Sequence, residues 1–209
     1  AVSTMGRSFW ILDDISTLHS WEKSVEESIT TLFKPRDTHR FRYRSFGRSD
    51  VPDYPPSSVI IDYFLANESS VDVTIDVLNS QGKVVRSYSS TSSEVNDTQA
   101  RTNMATGFFM RGGSNTLNKS VGTHRFRWDF RHSGAWHNNP KRAFRNGPMA
   151  APGSYTVRMT VDRKEYKQTF QLMIDPRIKE SGVTSQDLIE QENLALQVRD
   201  LLTNARKLA

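Results

Sequence analysis

The chain has 209 residues with a net charge of +5, a hydrophobic content of 36% and no cysteine. The absence of cysteine excludes disulfides, thiolate metal sites and cysteine nucleophiles, and no run of about 18 apolar residues is present to form a membrane-spanning helix. The basic residues gather in residues 36–48 and 125–145, largely on the polar phase of predicted strands, so we interpret them as solvated surface and not as a nucleic-acid site.

The first third of the chain alternates between predicted strands and helices. Residues 8–12 form a short apolar run that is typical of a strand. In residues 15–32, apolar side chains recur at spacings of three and four, which predicts one or two short helices that end before Pro35. Residues 39–46 alternate between aromatic and basic side chains and predict a strand. The basic face that we expect to be solvated carries Arg40, Arg42 and Arg44.

The middle of the chain predicts three strands and a long loop. Residues 59–65 are apolar on both faces, as in a central strand of a packed sheet. Residues 71–77 and 84–88 flank a turn and predict an antiparallel pair. Residues 89–121 are polar and irregular, so we expect a large loop there.

The strongest strand signal lies in residues 125–131, where Phe126, Trp128 and Phe130 alternate with charged side chains. Because side chains alternate between the two faces of a strand, the three rings are predicted to face the core together. A second long loop follows in residues 132–153. Residues 155–161 and 166–174, joined by a turn at 162–164, then predict another antiparallel pair with apolar inner positions.

The end of the chain predicts a helix. Thr184 and Asp187 have the spacing of a helix N-terminal capping pair. Beyond them, apolar residues recur at spacings of four and three, and we expect this stripe to pack on another surface. The stripe consists of Leu194, Val198, Leu201, Ala205 and Leu208.

Roughly seven strands with short turns, and no regular alternation of strands with helices, predict a mainly β fold. We expect an antiparallel β-sandwich of the immunoglobulin or fibronectin type III kind, with a short N-terminal helix and a C-terminal α-helix. Trp128 would lie at the buried centre of this fold.

Several short stretches carry a resemblance to a known family. They are Gly-Arg-Ser-Phe-Trp-Ile-Leu-Asp-Asp (6–14), Leu-Phe-Lys-Pro-Arg (32–36), Arg-Phe-Arg-Trp-Asp (125–129), Ala-Pro-Gly-Ser-Tyr-Thr-Val (151–157) and Asp-Pro-Arg (175–177). In this order they resemble the C-terminal region of bacterial sortilin-like, BNR-repeat β-propeller proteins, which are often labelled glycosyl hydrolases. The resemblance implies three parts. They are the closing propeller strand with a helical linker (1–35), the β-sandwich (36–176) and a C-terminal helical segment (177–209).

The resemblance also implies a role. The propeller itself is missing from the sequence, so we expect a fragment of a longer secreted, periplasmic or cell-surface protein and carry over no catalytic residue. The chain would be a non-catalytic structural or interaction module that packs against the propeller. No cofactor is expected.

An alternative function is a carbohydrate- or cell-surface-binding accessory module of a glycan-processing hydrolase. In that interpretation Trp136, His137 and Arg142 of the second long loop stack on and hydrogen-bond a sugar. The simpler interpretation is that Trp136 only fixes the loop to the core. A metal site is not expected, because the nearby histidines and carboxylate match no ligand spacing. Those residues are His124, Asp129, His132 and His137.

Overall fold

The computed structural model describes residues 2–3, 9–10, 15–41, 57–91, 116–139 and 142–208. The strands of these ranges are β1 (Val2–Ser3), β2 (Phe9–Trp10), β3 (Thr31–Leu32), β4 (Thr38–Arg40), β5 (Val59–Leu65), β6 (Thr74–Leu78), β7 (Val84–Ser89), β8 (Gly122–Trp128), β9 (Gly153–Val161) and β10 (Lys164–Ile174). The helices are α1 (Ser16–Glu26), α2 (Pro176–Glu180) and α3 (Ser185–Leu208).

Most of the described strands belong to two sheets. One has five strands in the order β4-β10-β9-β6-β7, and the other has three in the order β3-β5-β8. Neighbouring strands are antiparallel except β4, which runs parallel to β10. Strands β1 and β2 form a separate antiparallel pair. The described part of the chain is therefore mainly β with a C-terminal helix, as the sequence predicts.

Trp128 lies where the two sheets contribute to one hydrophobic cluster. It pairs with Val59 across β8 and β5 and is 0% exposed. Its ring centroid lies 5.4 Å from that of Tyr155 and 6.2 Å from that of Phe170, both in the five-stranded sheet. Its indole Nε1 donates to the carbonyl oxygen of Arg131 at 2.9 Å, so the buried polar group is satisfied. Trp128 thus joins the two sheets, as predicted.

Phe126 and Phe130 are buried on the same side as Trp128, so all three rings of the predicted row face the core. Strand β8 ends at Trp128, however, and Phe130 lies beyond it with a φ of 60°. A left-handed residue turns the chain sharply. The turn returns the Phe130 ring to the core, where it meets Trp128 edge-on at 6.1 Å.

The pair of β9 and β10 also follows its predicted pattern. Asp162 and Arg163 connect the strands and both have positive φ, as in the two-residue turns that match the twist of a hairpin. The inward positions of β9 are all buried. They are Tyr155, Val157, Met159 and Val161.

Two N-terminal predictions need correction. The helix within residues 15–32 ends at Glu26, well before Pro35, and Ser28 has a φ of 50°. Thr31 and Leu32, predicted as the end of a helix, instead form β3 and pair with the edge of β5. The free edge of a buried central strand offers these residues backbone hydrogen bonds that outweigh their helical spacing.

The second correction concerns Arg40, in the strand predicted over residues 39–46. We expected it on a solvated face, but it is buried, with 8% of its surface exposed. Its Nη2 donates to Oε1 of Gln191 at 3.3 Å, so α3 covers this end of β4. Arg42 and Arg44, with the rest of the strand predicted to reach residue 46, lie outside the described residues. Most of the first long loop, residues 92–115, does so too.

Helix α3 begins as predicted but does not pack as predicted. The Thr184 hydroxyl accepts from the backbone N–H of Asp187 at 3.2 Å, and the Asp187 carboxylate accepts from the Thr184 N–H at 2.8 Å. The predicted apolar stripe is exposed in the described structure: Leu194 64%, Val198 57%, Leu201 68% and Leu208 90%. The helix contacts the rest of the chain through a different face. None of the described helices combines the length and apolar character needed to cross a bilayer.

Candidate functional site

The loop that follows β8, residues 131–149, is folded back on itself. The backbone N–H of His132 donates to Pro148 O at 2.9 Å, and that of Gly134 donates to Phe144 O at 2.9 Å. Phe144 N–H donates in return to Ala135 O at 3.0 Å. The sequence predicts this segment only as irregular, and these bonds fix the backbone of its described residues, 131–139 and 142–149.

Two glycines permit the close approach of the two arms of the 131–149 loop. A Cβ atom on Gly134 would lie 1.9 Å from the carbonyl oxygen of Arg145, and one on Gly147 would lie 2.0 Å from that of His132. Both contacts are with backbone atoms, which cannot move aside as a flexible side chain would. The loop can therefore close in this way only where these positions lack a side chain.

Arginine side chains hold the 131–149 loop by bonding its carbonyl groups. Arg131 Nη1 donates to Gly147 O at 2.8 Å. Arg86 Nη1, from β7, donates to Phe144 O at 2.8 Å and to His132 O at 3.2 Å. A carbonyl carries no net charge, so these bonds fix the guanidinium groups in place without cancelling their positive charge.

Helix α3 binds the same loop from the other side. Arg199 Nη1 donates to Ser133 O at 3.3 Å, and Arg206 Nη1 donates to Trp136 O at 3.1 Å. The backbone N–H of Trp136 donates to Thr203 Oγ1 at 3.2 Å. Because these bonds come from successive turns of one helix face, the loop lies along the length of α3.

A groove of about 1050 Å³ lies between the 131–149 loop, α2 and α3. Six arginines line it: Arg40, Arg131, Arg142, Arg145, Arg199 and Arg206. Apolar residues of the two helices and of the link between them line it as well: Ile178, Val183, Leu188, Ala195, Val198 and Leu202. The described lining includes no Asp or Glu, so the groove is cationic with an apolar helical wall.

Two carboxylates lie near the groove without lining it. Glu192 Oε1 contacts His132 Nε2 at 2.5 Å, and its side chain is 15% exposed. Asp200 Oδ1 pairs with Arg199 Nη2 at 2.7 Å, and its side chain is 61% exposed. They offset part of the positive charge around the groove, and its lining remains cationic.

The three residues predicted for sugar binding are placed differently. His137 and Arg142 line the groove. Trp136 is half-buried and lies outside the described lining, while its backbone is bound to α3 at both N–H and C=O. The structure therefore brings His137 and Arg142 to one surface and uses Trp136 at the junction of the loop with α3.

The sequence-based interpretation of the basic residues as solvated strand faces does not foresee that several of the arginines line one groove. Arg131, Arg142 and Arg145 lie on the loop and face α3, and Arg40 lies beneath Gln191. One signal is present in the sequence: Arg199 and the arginine seven residues later occupy the same face of a helix. That face is the one turned to the loop.

The histidines weighed as metal ligands make separate contacts. His124 Nε2 lies 2.7 Å from Ser120 O, and His137 Nδ1 accepts from Asn139 N–H at 2.9 Å. Asp129 Oδ1 accepts from the Arg131 N–H at 3.3 Å. Within the described ranges, no three His, Asp or Glu side chains are close enough together to hold a metal ion.

Comparison with protein-family models, with curated proteins and with solved structures gives no match to this chain.

Proposed function

We propose that this chain is a non-catalytic structural module of a sortilin-like, BNR-repeat propeller protein and that it packs against the propeller. One observation carries the proposal: α1 and the residues beside it present large apolar side chains to solvent. The exposed fractions are 48% for Ile15, 54% for Leu18, 39% for Trp21 and 50% for Ile29. Contiguous exposed apolar residues of this kind mark protein interaction surfaces.

The apolar face of α1 is held rigidly. Thr17 Oγ1 donates to Asp62 Oδ2 at 2.8 Å, and Arg125 binds the same carboxylate through two bonds of 2.8 Å. Trp21 Nε1 donates to Thr123 Oγ1 at 2.6 Å. A partner would therefore meet a preformed surface, which lowers the entropy lost on binding. In the family that the chain resembles, the closing propeller strand directly precedes this position.

We also propose that the two sheets form an immunoglobulin- or fibronectin type III-like β-sandwich. The shared hydrophobic cluster around Trp128 supports this assignment. Tyr155, near the start of β9, supports it too: its hydroxyl donates to Ala151 O, four residues earlier, at 2.6 Å. A tyrosine bonded back to the backbone at a strand corner is a feature of such folds.

The propeller contact is tested with the sequence that precedes residue 1 in the parent gene. That preceding segment and the present chain are produced as separate polypeptides, and their affinity is measured by titration calorimetry. Loss of one buried leucine contact corresponds to about 1.5–3 kcal/mol, or roughly tenfold or more in Kd. Leu18→Ser should weaken binding by that factor, and Lys23→Gln, an exposed change on a different face of the same helix, should not.

A parent gene without a propeller upstream would contradict the proposal, and so would a Kd that Leu18→Ser leaves unchanged. The same gene sequence tests the secreted, periplasmic or cell-surface location that the resemblance implies, since an export signal would precede the propeller.

Binding of a carbohydrate is the second candidate function, and the placement of His137 and Arg142 in one groove favours it. A glycan array with the wild-type chain, His137→Ala and Arg142→Ala tests this candidate. Phe144→Ala is the matched control, because Phe144 is an aromatic residue of the same loop, 50% exposed and outside the described lining. Sugar recognition requires that the first two changes reduce binding and the control does not.

A further inference from the structure

We propose that the groove between the 131–149 loop and α3 binds an acidic peptide segment that carries apolar side chains. This site goes beyond the propeller contact, because its described lining shares no residue with the apolar face of α1. The occupant is inferred from the charge of the groove, from its apolar wall and from the kinds of side chain it lacks.

The positive charge of the groove favours an acidic ligand. Six arginines line one groove, and Arg131, Arg199 and Arg206 each donate to a neutral carbonyl oxygen of the loop, while Arg199 also pairs with the exposed carboxylate of Asp200. Guanidinium groups present several N–H donors in one plane and bind carboxylates through paired hydrogen bonds. A row of carboxylates would therefore find charge-assisted partners along the loop.

Three of the arginines are already held in place before a ligand binds. The Gly147, Ser133 and Trp136 carbonyls already fix three of the arginines, so part of their rotamer freedom is lost before any ligand arrives. Ordering a rotamer-rich side chain at an interface lowers affinity by a factor of about two to ten. A ligand that binds this groove avoids much of that loss.

The apolar wall of the groove favours a ligand that also carries apolar side chains. Val198 is 57% exposed and Leu202 is 42% exposed, and both lie in the lining beside the arginines. A ligand that carries only charge would leave these side chains in water. A peptide that alternates carboxylates with leucine-like side chains covers both parts of the lining at once.

The lining also argues against two other polyanions. Surfaces that bind single-stranded nucleic acids use aromatic side chains on which bases stack. The described lining contains no Phe, Tyr or Trp, so the His137 imidazole is the one aromatic ring that it offers to a base or a sugar. The volume of about 1050 Å³ suits a short peptide segment and lies at the upper end of sites for small ligands.

The test is fluorescence polarisation at physiological ionic strength with labelled short peptides. A peptide of repeating Glu-Glu-Leu should bind more tightly than one of repeating Glu-Glu-Ser or Lys-Lys-Leu. A short oligothymidine and polygalacturonate, added as competitors, represent the nucleic-acid and acidic-polysaccharide alternatives.

Variants locate the binding. Arg142→Glu should weaken binding of the Glu-Glu-Leu peptide by about three- to tenfold, since one favourable charge pair is lost and a repulsion is added. Arg36→Glu makes the same charge change at an exposed site outside the described lining and should have no effect beyond a small change in salt dependence. Val198→Ser should weaken binding of the Glu-Glu-Leu peptide alone, and Leu201→Ser, at an exposed leucine of α3 outside the described lining, is its control. Circular dichroism confirms that each variant is folded.

Either of two kinds of result would overturn the proposal. If oligothymidine or polygalacturonate displaces the labelled peptide more effectively than the unlabelled Glu-Glu-Leu peptide does, the groove is a site for that polymer instead. Equal effects of Arg142→Glu and Arg36→Glu would place any binding elsewhere. The propeller contact and the peptide site can fail independently of each other, because Leu18→Ser is expected to leave binding of the Glu-Glu-Leu peptide unchanged.

Discussion

Two buried tyrosine hydroxyls in the core, those of Tyr63 and Tyr155, are bonded to the backbone. The Tyr155 hydroxyl donates to Ala151 O at 2.6 Å, and the Tyr63 hydroxyl donates to Asn118 O at 2.7 Å. Burial raises the pKa of Tyr63 to about 12, although its bond to the Asn118 backbone opposes the change. Burial also raises the pKa of Tyr155. Both hydroxyls therefore remain protonated donors throughout the ordinary range of pH.

Tyr155→Phe should lower the free energy of unfolding by about 1–2 kcal/mol, because the buried Ala151 carbonyl loses its donor while the ring is retained. Urea unfolding followed by circular dichroism measures the change. Tyr166→Phe removes a hydroxyl from a half-buried ring on the neighbouring strand and should have a smaller effect. Equal losses in the two variants would show that the Tyr155–Ala151 bond contributes nothing of its own.

Among the secondary-structure elements, α2 owes its start to a single carboxylate. Asp175 caps the helix by accepting from the Arg177 N–H at 3.0 Å, and Pro176 occupies the first helical position. The Asp175 carboxylate also pairs with the Arg177 guanidinium, with an Oδ2–Nη2 distance of 2.6 Å. The hydrogen bond from Arg177 lowers the pKa of Asp175 below its ordinary value.

A lowered folded-state pKa makes this cap sensitive to acid. Its contribution to stability is complete above the ordinary Asp pKa of about 3.9 and is lost as the pH falls through the lower value of the folded state. The wild-type unfolding free energy should therefore decrease between about pH 5 and pH 2, and Asp175→Asn should show a smaller decrease. Urea titrations at neutral and acid pH measure both proteins.

Glu180→Gln is the control for this pH dependence, because it removes an exposed carboxylate from the same helix without touching the cap. If Asp175→Asn retains the full acid sensitivity of the wild type, the capping carboxylate is not its source.

Local periodicity explains why some elements can be predicted. The alternation around Trp128 and the alternation from Tyr155 to Val161 each describe one buried face of a strand, and that face is a property of the segment itself. Thr31 could not be placed in this way, because its strand exists through pairing with β5. Arg40 could not either, because it is covered by Gln191 of a helix much later in the chain.

The same distinction applies to the candidate site. His137 and Arg142 could be selected from the sequence, because polar and aromatic residues concentrate in their loop. The wall opposite them, which α3 forms, could not be selected from the sequence. The spacing of Arg199 and Arg206 predicts a shared helix face, but only the packing of α3 along the loop determines that this face lies across from Arg142.

At the scale of the whole molecule, two kinds of attachment hold the described parts together. The two sheets share a hydrophobic cluster in which Trp128 contacts the rings of the other sheet. Helix α3 buries one residue, Leu188, and joins the loop mainly through polar contacts. Elements with few buried apolar contacts open locally at a lower free energy than the core. We therefore expect α3 to detach without unfolding of the sheets.

Hydrogen exchange followed by mass spectrometry tests this hierarchy. Amides of β9 and β10 should exchange only through global unfolding, with a strong dependence on denaturant, and amides of α3 should exchange faster and depend on it less. Leu188→Ala should accelerate α3 further, since truncating a buried leucine costs about 2 kcal/mol or more, and Leu194→Ala, at a site that is 64% exposed, should not. Exchange of α3 as slow as that of β9, with the same denaturant dependence, would mean that its polar contacts bind it as firmly as the shared core binds the sheets.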